Sequence, residues 1–566
     1  MPTNPLQRNP MSPPASRGGG VLAALAIVVC VAIAYWPGLH GYWGRDDFMQ
    51  LAFARLIGSP WPLFIHDHYF PVPGSIFRPL GFASFWLWQA LFGTNYFSHA
   101  FADMLLHAGV SLALFRVVRF SGLDRVPAVL CTLLFALHPA VLGTALWWSA
   151  RFDLLAALFA FIALRAAFDY MQQRRIAFLQ ITLAAALAAL LSKETAAALF
   201  VAVALIWLRW AWREPEHRAA ALRAVAALSA IAVLFFLWRW AVLGTAASGL
   251  AGEASLAALT GKGVVDWFRY VAGYISFWPR LGIAQRAVAG LLALALIGYG
   301  LVAWMRRAPR SSSLRCADLL LCGLCLFLLP AVLQAPIVAL NATSLRGDAS
   351  AIEAVMQSRL YYLSIGGFVI ALSALVQRIV PARTDLMRFL LMGILGIGAF
   401  AFGWASRDAA SAYASRSLAP KAVAEAAAAA VDGLTLPASH CHVFLLGVEP
   451  PAEWGIYVSM DSVVKALSAD LPRIDRCFVH ADYATFFHLM GRAAETGDAA
   501  PYRPREVGGQ PLSWLHVGDA VVAYLDPPSS FDADVGGNAV FLRYEKGSFR
   551  DITAEVSDGR VVVVPR

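Results

Sequence analysis

From Val21 onward the chain runs in apolar stretches of about 16 to 22 residues, rich in Leu, Ala, Val and Phe, with short polar punctuation between them. That is the length a helix needs to cross a hydrocarbon layer about 30 Å thick. No stretch alternates polar and apolar residues with period two, which excludes a transmembrane barrel. Backbone polar groups in lipid are otherwise satisfied only in helices. About eleven spans are expected, near residues 21–36, 96–115, 126–142, 154–170, 176–191, 196–208, a span ending near 243, then 287–304, 317–334, 361–376 and 389–404. Residues 79–92 are too short to cross and rich in Trp and Phe, so they read as an interfacial or re-entrant helix.

The charges that punctuate the spans assign their sides. With Arg8 and Arg17 in the cytoplasm, the clusters Arg116, Arg119 and Arg125, then Arg174 and Arg175, residues 209–223, Arg306, Arg307 and Arg310, and Arg378, Arg383 and Arg388 all return to the same side. The opposite ends carry a different chemistry. Asp46 and Asp47 follow the first span; Arg78 precedes the interfacial helix; His138, Arg151 and Asp153 flank a Trp-rich turn. Lys193 and Glu194 join two spans, and Arg359 and Tyr361 open another. Ionisable groups at the mouth of a bundle are costly to desolvate and tend to line a path for a polar substrate.

Composition limits the alternatives. The 566 residues are 59% hydrophobic and 14% charged, more apolar surface than a soluble core would hide. The net charge of +9 sits in topology-setting clusters beside spans, so the expected partners are membrane lipids and not nucleic acid. Most of the seven cysteines lie in apolar runs without metal-ligand spacing. Residues 1–20, rich in Pro and Gly, read as a disordered cytoplasmic leader, and 21–404 as the membrane domain with an uncleaved first span. Residues 405–566 reverse the charge balance, with about twenty acidic against about fourteen basic residues, and are expected outside the cytoplasm. Runs at 442–446, 520–524, 539–544 and 561–564 read as strands and 421–431 as a helix, a small α/β or α+β domain. In an oxidising compartment Cys441 and Cys477 would be able to pair. The fold class is therefore mostly α, a polytopic helical membrane bundle with a small soluble C-terminal domain.

Each cluster has a plain and a functional reading. Two adjacent carboxylates in a loop are a solvated turn, or one is an ionised base whose neighbour binds a cation or shifts its pKa. Arg78, Arg151 and Arg359 are interfacial anchors or forks for an anionic phosphate. Lys193 and Glu194 are a neutralising pair or part of the same site. His99, Asp103 and His107, at i, i+4 and i+8, share a helix face that would suit a divalent metal or hydrogen bonds across the bundle. His66, Asp67 and His68 pose the same choice. Asn341-Ala342-Thr343 matches a glycosylation sequon. No cofactor beyond that divalent metal is implied.

In order along the chain, several motifs resemble the GT-C glycosyltransferases, specifically the transmembrane O-mannosyltransferases that carry TPR repeats and their bacterial relatives. They are Asp46-Asp47-Phe48, Phe77-Arg78-Pro79-Leu80, Leu91-Phe92-Gly93, Leu105-Leu106-His107 and Leu137-His138-Pro139. Trp147 with residues 149–155 (SARFDLL), residues 191–195 (LSKET), Phe277-Trp278-Pro279 and residues 358–364 (SRLYYLS) complete the set. The resemblance implies a GT-C-like bundle of the bacterial inner membrane that moves a sugar from a polyprenyl-phosphate donor to a glycan, lipid or protein hydroxyl at the periplasmic face. On that likeness Asp46 or Asp47 is the general base of an inverting reaction. Arg78, Arg151, Lys193 and Arg359 face the phosphate leaving group, with His138, Asp153, Glu194 and Tyr361 around the substrate. Two departures stand out: the short domain after Trp404 replaces the TPR array, and Asp103 occupies a position where relatives carry an amide. A transporter or flippase for a lipid-linked saccharide, or a surface-polysaccharide polymerase or ligase, is the competing expectation.

Overall fold

A computed structural model describes residues 17–44, 46–66, 76–244, 312–333, 358–379, 385–436, 441–448, 460–481, 513–517, 520–524 and 539–557. Among these, eight helices are long and apolar enough to cross a membrane, or nine if a bent pair counts as one span. The helix Ile176–Ser192 is apolar but shorter. Each expected span within the described residues is helical; the one at 287–304 lies outside them.

The first span, α1 (Arg17–Tyr35), ends where Pro37 opens a 3-10 turn. Beyond it lies the short α2 (Asp46–Leu56), then α3 (Pro79–Phe92), which starts on Pro79 and stops at Gly93 with φ 58°. The next span, α4 (Tyr96–Arg119), begins on Asn95, whose side chain accepts from Ser98 N at 3.0 Å.

The span expected at 126–142 is broken. It consists of α5 (Arg125–Ala136) and, after a 52° bend, a 3-10 turn and α6 (Leu142–Leu146). Pro139 causes the break: it has no N–H and keeps His138 out of helical geometry. The Ala136 carbonyl freed there accepts from the Tyr35 hydroxyl and from His107 Nε2–H, both at 2.9 Å. His107 Nδ1 then accepts from the Tyr362 hydroxyl at 2.6 Å. His99 donates its Nε2–H to Gly93 O at 2.9 Å, and Asp103 pairs with Arg151. Within the helix-spaced trio His107 and Asp103 thus bond across the bundle, whereas His99 bonds to the turn that precedes its own helix.

The remaining apolar helices are α7 (Arg151–Gln173), α8 (Ile176–Ser192), α9 (Ala197–Arg213), α10 (Arg218–Leu243), α11 (Ser312–Leu333), α12 (Tyr362–Ile379) and α13 (Asp385–Ser417). Between α11 and α12 the backbones touch: a Cβ on Gly323 would come within 2.5 Å of Ala371 N, so only glycine permits the approach. At the end of the bundle away from α2, Asp318 of α11 ties down Arg209 (2.9 Å) and Arg213 (2.7 Å) of α9. Helix α13 does not stop at Trp404, where the sequence places a domain boundary. It continues to Ser417 and carries the chain directly into the C-terminal module.

In that module α14 (Lys421–Asp432) and α15 (Met460–Leu467) pack beside a four-stranded sheet of order β2-β1-β5-β6. Strand β1 (Cys441–Leu446) runs parallel to β2 (Cys477–Ala481) and β5 (Ala539–Glu545), and β5 turns through Lys546-Gly547 into antiparallel β6 (Ser548–Asp551). Both turn residues have positive φ, the geometry of a two-residue hairpin. Strands β3 (Ser513–Val517) and β4 (Ala520–Tyr524) form a separate hairpin. Cys441 and Cys477 face each other in register and are disulfide-bonded. Strands β2, β3 and β6 and helix α15 are additions to the elements expected from the sequence, and the run at 561–564 lies outside the described residues.

Candidate active site

The acidic pair forms the first turn of α2, where the exposed N–H groups favour negative charge. Its two members differ. Asp46 is half-buried, whereas Asp47 is fully enclosed. Asp47 Oδ1 accepts from the Ser149 N–H (2.9 Å) and the Ser149 hydroxyl (2.7 Å), and Oδ2 accepts from the Gly44 N–H at 3.2 Å. Burial pushes its carboxyl up to about 7; the bonds from Ser149 and Gly44 oppose the rise, and the Asp46 charge adds to it.

Ser149 can reach Asp47 because the bent span delivers it. Helix α6 leads into a 3-10 turn at Trp148–Ala150, and Trp148 is wedged among Trp43 (5.2 Å), His99 (5.0 Å) and Phe85 (4.6 Å). Two residues on, Arg151 is fully buried. Its Nε donates to Asp103 Oδ1 at 2.7 Å, its Nη1 donates to Ser84 O at 3.3 Å, and its guanidinium lies against the rings of Phe85, Trp88 and Trp148. This encloses the pair as an internal strut.

The other charged residues near this end form interlocked pairs. Arg78, at the N-cap of α3, forks onto Glu194: Nε to Oε2 at 2.8 Å and Nη2 to Oε1 at 2.5 Å. Lys193 Nζ donates to both oxygens of Asp153, at 2.6 and 2.7 Å. Lys193 and Glu194 therefore serve different partners and do not neutralise each other. Burial draws the Lys193 pKa down, Asp153 pulls it back up, and the like charges of Arg78 and Arg359 lower it again. Lys193 is thus within electrostatic reach of both arginines. Arg359 lies over the Trp147 ring, 4.1 Å from its centre, with Tyr361 buried beside it in the same turn. His138 accepts from Ala140 N at 3.0 Å through Nδ1, capping the turn after the break.

Among the described residues the only three-ligand set within reach of one ion is Glu214, Glu216 and His217, at the far end of α9. Asp67, His68 and the Asn341 sequon lie outside the described residues. Sequence reasoning missed Ser149 as the anchor of Asp47 and Tyr362 as the partner of His107; both lie inside motifs it singled out.

Asp47 gives a pH prediction. A carboxyl whose folded pKa exceeds its unfolded value stabilises the fold when protonated, so that stability falls as pH rises from about 4 through about 7. Ser149→Ala removes one donor to the ionised form, and should steepen the loss of thermal stability between pH 5 and pH 8. Identical pH dependence of melting in detergent for wild type and variant would contradict this account of Asp47.

No protein-family model matches the sequence, and no curated protein matches it. Solved structures similar to it include the oligosaccharyltransferase of Archaeoglobus fulgidus in complex with Zn and sulfate, at 15% identity and TM-score 0.41, covering 80% of this chain and 62% of that one. The same archaeal enzyme tethered to an acceptor peptide with the NVT sequon is similar at 12% identity and TM-score 0.43, over 80% and 64% of the two chains. ArnT from Cupriavidus metallidurans bound to undecaprenyl phosphate is similar at 14% identity and TM-score 0.35, over 82% and 90%. The chain spans under two thirds of the length of the archaeal enzyme.

Proposed function

We propose that the chain is a GT-C-type glycosyltransferase of the bacterial inner membrane. It takes a sugar from a polyprenyl-phosphate carrier and attaches it, with inversion, to a hydroxyl of a glycan, lipid or protein on the periplasmic face. The observation that carries this reading is the placement of the acidic turn of α2, fixed on Ser149, at the same end of the bundle as the ion pairs Arg78–Glu194 and Lys193–Asp153 and as Arg359 over Trp147.

Asp46 is the general base and Asp47 its positioning residue. A base must come within hydrogen-bond reach of the proton it removes, and geometry takes precedence over pKa. Asp47 has the pKa of a good base at neutral pH but is enclosed with its oxygens occupied. Asp46, half-buried beside it, is the carboxylate that an acceptor can meet. The acceptor hydroxyl gives its proton to Asp46 as its oxygen bonds to the anomeric carbon, and the bond from that carbon to the phosphate oxygen breaks on the opposite face. The electron pair leaves with the lipid phosphate.

Arg78, Lys193 and Arg359 gather positive charge at this end of the bundle, where it can meet the leaving phosphate. Arg151, sealed against Asp103, supports the site from within and takes no part in phosphate binding.

The sidedness follows from the positive-inside pattern, and the disulfide of the C-terminal module suits an oxidising compartment. The domain organisation in this reading is a cytoplasmic leader at 1–20, a catalytic domain at 21–404 and a periplasmic domain at 405–566. Mass spectrometry of the envelope of a deletion strain tests the function. One sugar should disappear from a glycan, lipid or glycoprotein while its polyprenyl-phosphate form accumulates. Unchanged profiles of both would overturn the reading.

A further inference from the structure

The C-terminal module holds the loop that carries the acidic pair from both sides. Helix α2 has 11 residues, too few to hold its own position in isolation. Its first turn is fixed to the bundle through Asp47 and Ser149, and its last turn is fixed to the module. Arg55 donates Nη1 to the carbonyls of Lys465 (3.0 Å) and Ala466 (2.8 Å), and Nη2 to that of Ser468 (2.8 Å). These lie at the C-terminal end of α15, where the final carbonyls have no partner within the helix. One guanidinium thereby caps a helix distant in sequence. Asp432 of α14 sets the same corner, accepting from the Ser468 hydroxyl at 2.5 Å and the Ala469 N–H at 2.8 Å.

On the other side of the acidic pair, Tyr42 N–H donates to Ser417 Oγ at 2.9 Å, and its hydroxyl donates to Glu425 Oε1 at 3.2 Å. The Lys421 ammonium lies 5.4 Å from the centre of its ring. Gly41 packs closely on the same residue, since a Cβ there would come within 2.6 Å of Ser417 Oγ and displace it. Tyr42 and Arg55 therefore bracket Asp46 and Asp47 within one short stretch of chain, each bound to the module that begins where α13 ends.

We propose that the C-terminal module is a positioning element of the active site, fixing the acidic turn of α2 through Arg55 on one side and Tyr42 on the other. The inference rests on the reading of α2 as the carrier of the catalytic base. A displacement of about 1 Å in a catalytic group can cost on the order of a hundredfold in rate, so a rigid-body tilt of α2 about its Ser149 anchor is enough to matter.

The test uses the full chain in detergent and in the deletion strain. Hydrogen–deuterium exchange is followed over residues 46–56 in wild type, Arg55→Ala, Arg55→Lys and Tyr42→Phe, with α15 and the spans as internal controls. Arg55→Ala should speed exchange of α2 about tenfold or more while the spans stay protected, with Arg55→Lys intermediate because an ammonium cannot fork onto three carbonyls. The initial rate at which the induced variants restore the missing envelope sugar, per amount of protein in the membrane, should fall about tenfold to a hundredfold in the same order.

Unchanged exchange of α2 in both Arg55→Ala and Tyr42→Phe overturns the grip. Faster exchange with an undiminished rate overturns the positioning role. If Arg55→Ala loses protection throughout the spans, Arg55→Lys and Tyr42→Phe decide by the same criteria. Should wild-type protein restore no sugar to the envelope of the deletion strain, the glycosyltransferase reading has failed, and the exchange data still decide whether the module holds α2.

Discussion

Asp46→Asn is expected to cut sugar transfer by about a hundredfold to ten-thousandfold, the usual contribution of a positioned general base, while the protein remains folded and inserted. Asn keeps the volume of Asp and removes only its capacity to take a proton. Asp47→Asn should act differently. Its amide oxygen still accepts from Ser149, but its NH2 meets the Gly44 N–H, a donor facing a donor where the carboxylate accepted at 3.2 Å. The turn shifts and the rate falls about tenfold to a hundredfold through misplacement of Asp46. Rates of envelope-sugar restoration, with membrane abundance as the control, separate the two. Wild-type rates in both variants would remove the acid–base assignment, and loss only in Asp47→Asn would transfer the base to Asp47.

Features governed by local sequence were the ones legible before the fold was known. Apolar run length defined the spans, and the short helix at 79–92 was read with its observed bounds, because Pro79 starts it and Gly93 stops it. The break after Ala136 was missed although Pro139 signals it; the apolar content on both sides masked a change of direction that hydropathy does not register. The polar residues after Trp404 read as the end of a membrane domain. Helix α13 continues through them because no helix breaker intervenes before Pro420. Strands β2 and β6 lack the continuous apolar run that marked β1, β4 and β5, since His480 interrupts one and Arg550 and Asp551 end the other.

At the candidate site, residue types were legible and partnerships were not. Asp47 and Ser149 are 102 positions apart, and Arg151 and Asp103 are 48 apart. Only tertiary packing turns a row of charged motifs into specific pairs. The arginines looked alike in sequence, each suited to a phosphate. Burial separates them: Arg359 remains at a partly open position over Trp147, whereas Arg151 is sealed at 0% exposure.

That difference leads to the largest expected effect on stability. Arg151 and Asp103 have side-chain exposures of 0% and 1%, and aromatic rings surround the guanidinium. Removing either partner leaves an uncompensated charge in a medium that cannot solvate it, at a cost of about 3–5 kcal/mol. Arg151→Met and Asp103→Leu should each melt well below wild type in detergent. The combined variant should recover most of the loss, since two apolar side chains of similar volume carry no desolvation penalty. Recovery of stability need not recover activity. Arg151 opens α7 two residues after Ser149, and its bond to Ser84 O ties that turn to α3, whose N-cap Arg78 belongs to the cation cluster. The double variant is therefore expected to fold and insert yet transfer sugar more slowly. Single variants that melt like wild type would show that the pair is not the strut beneath the acidic turn.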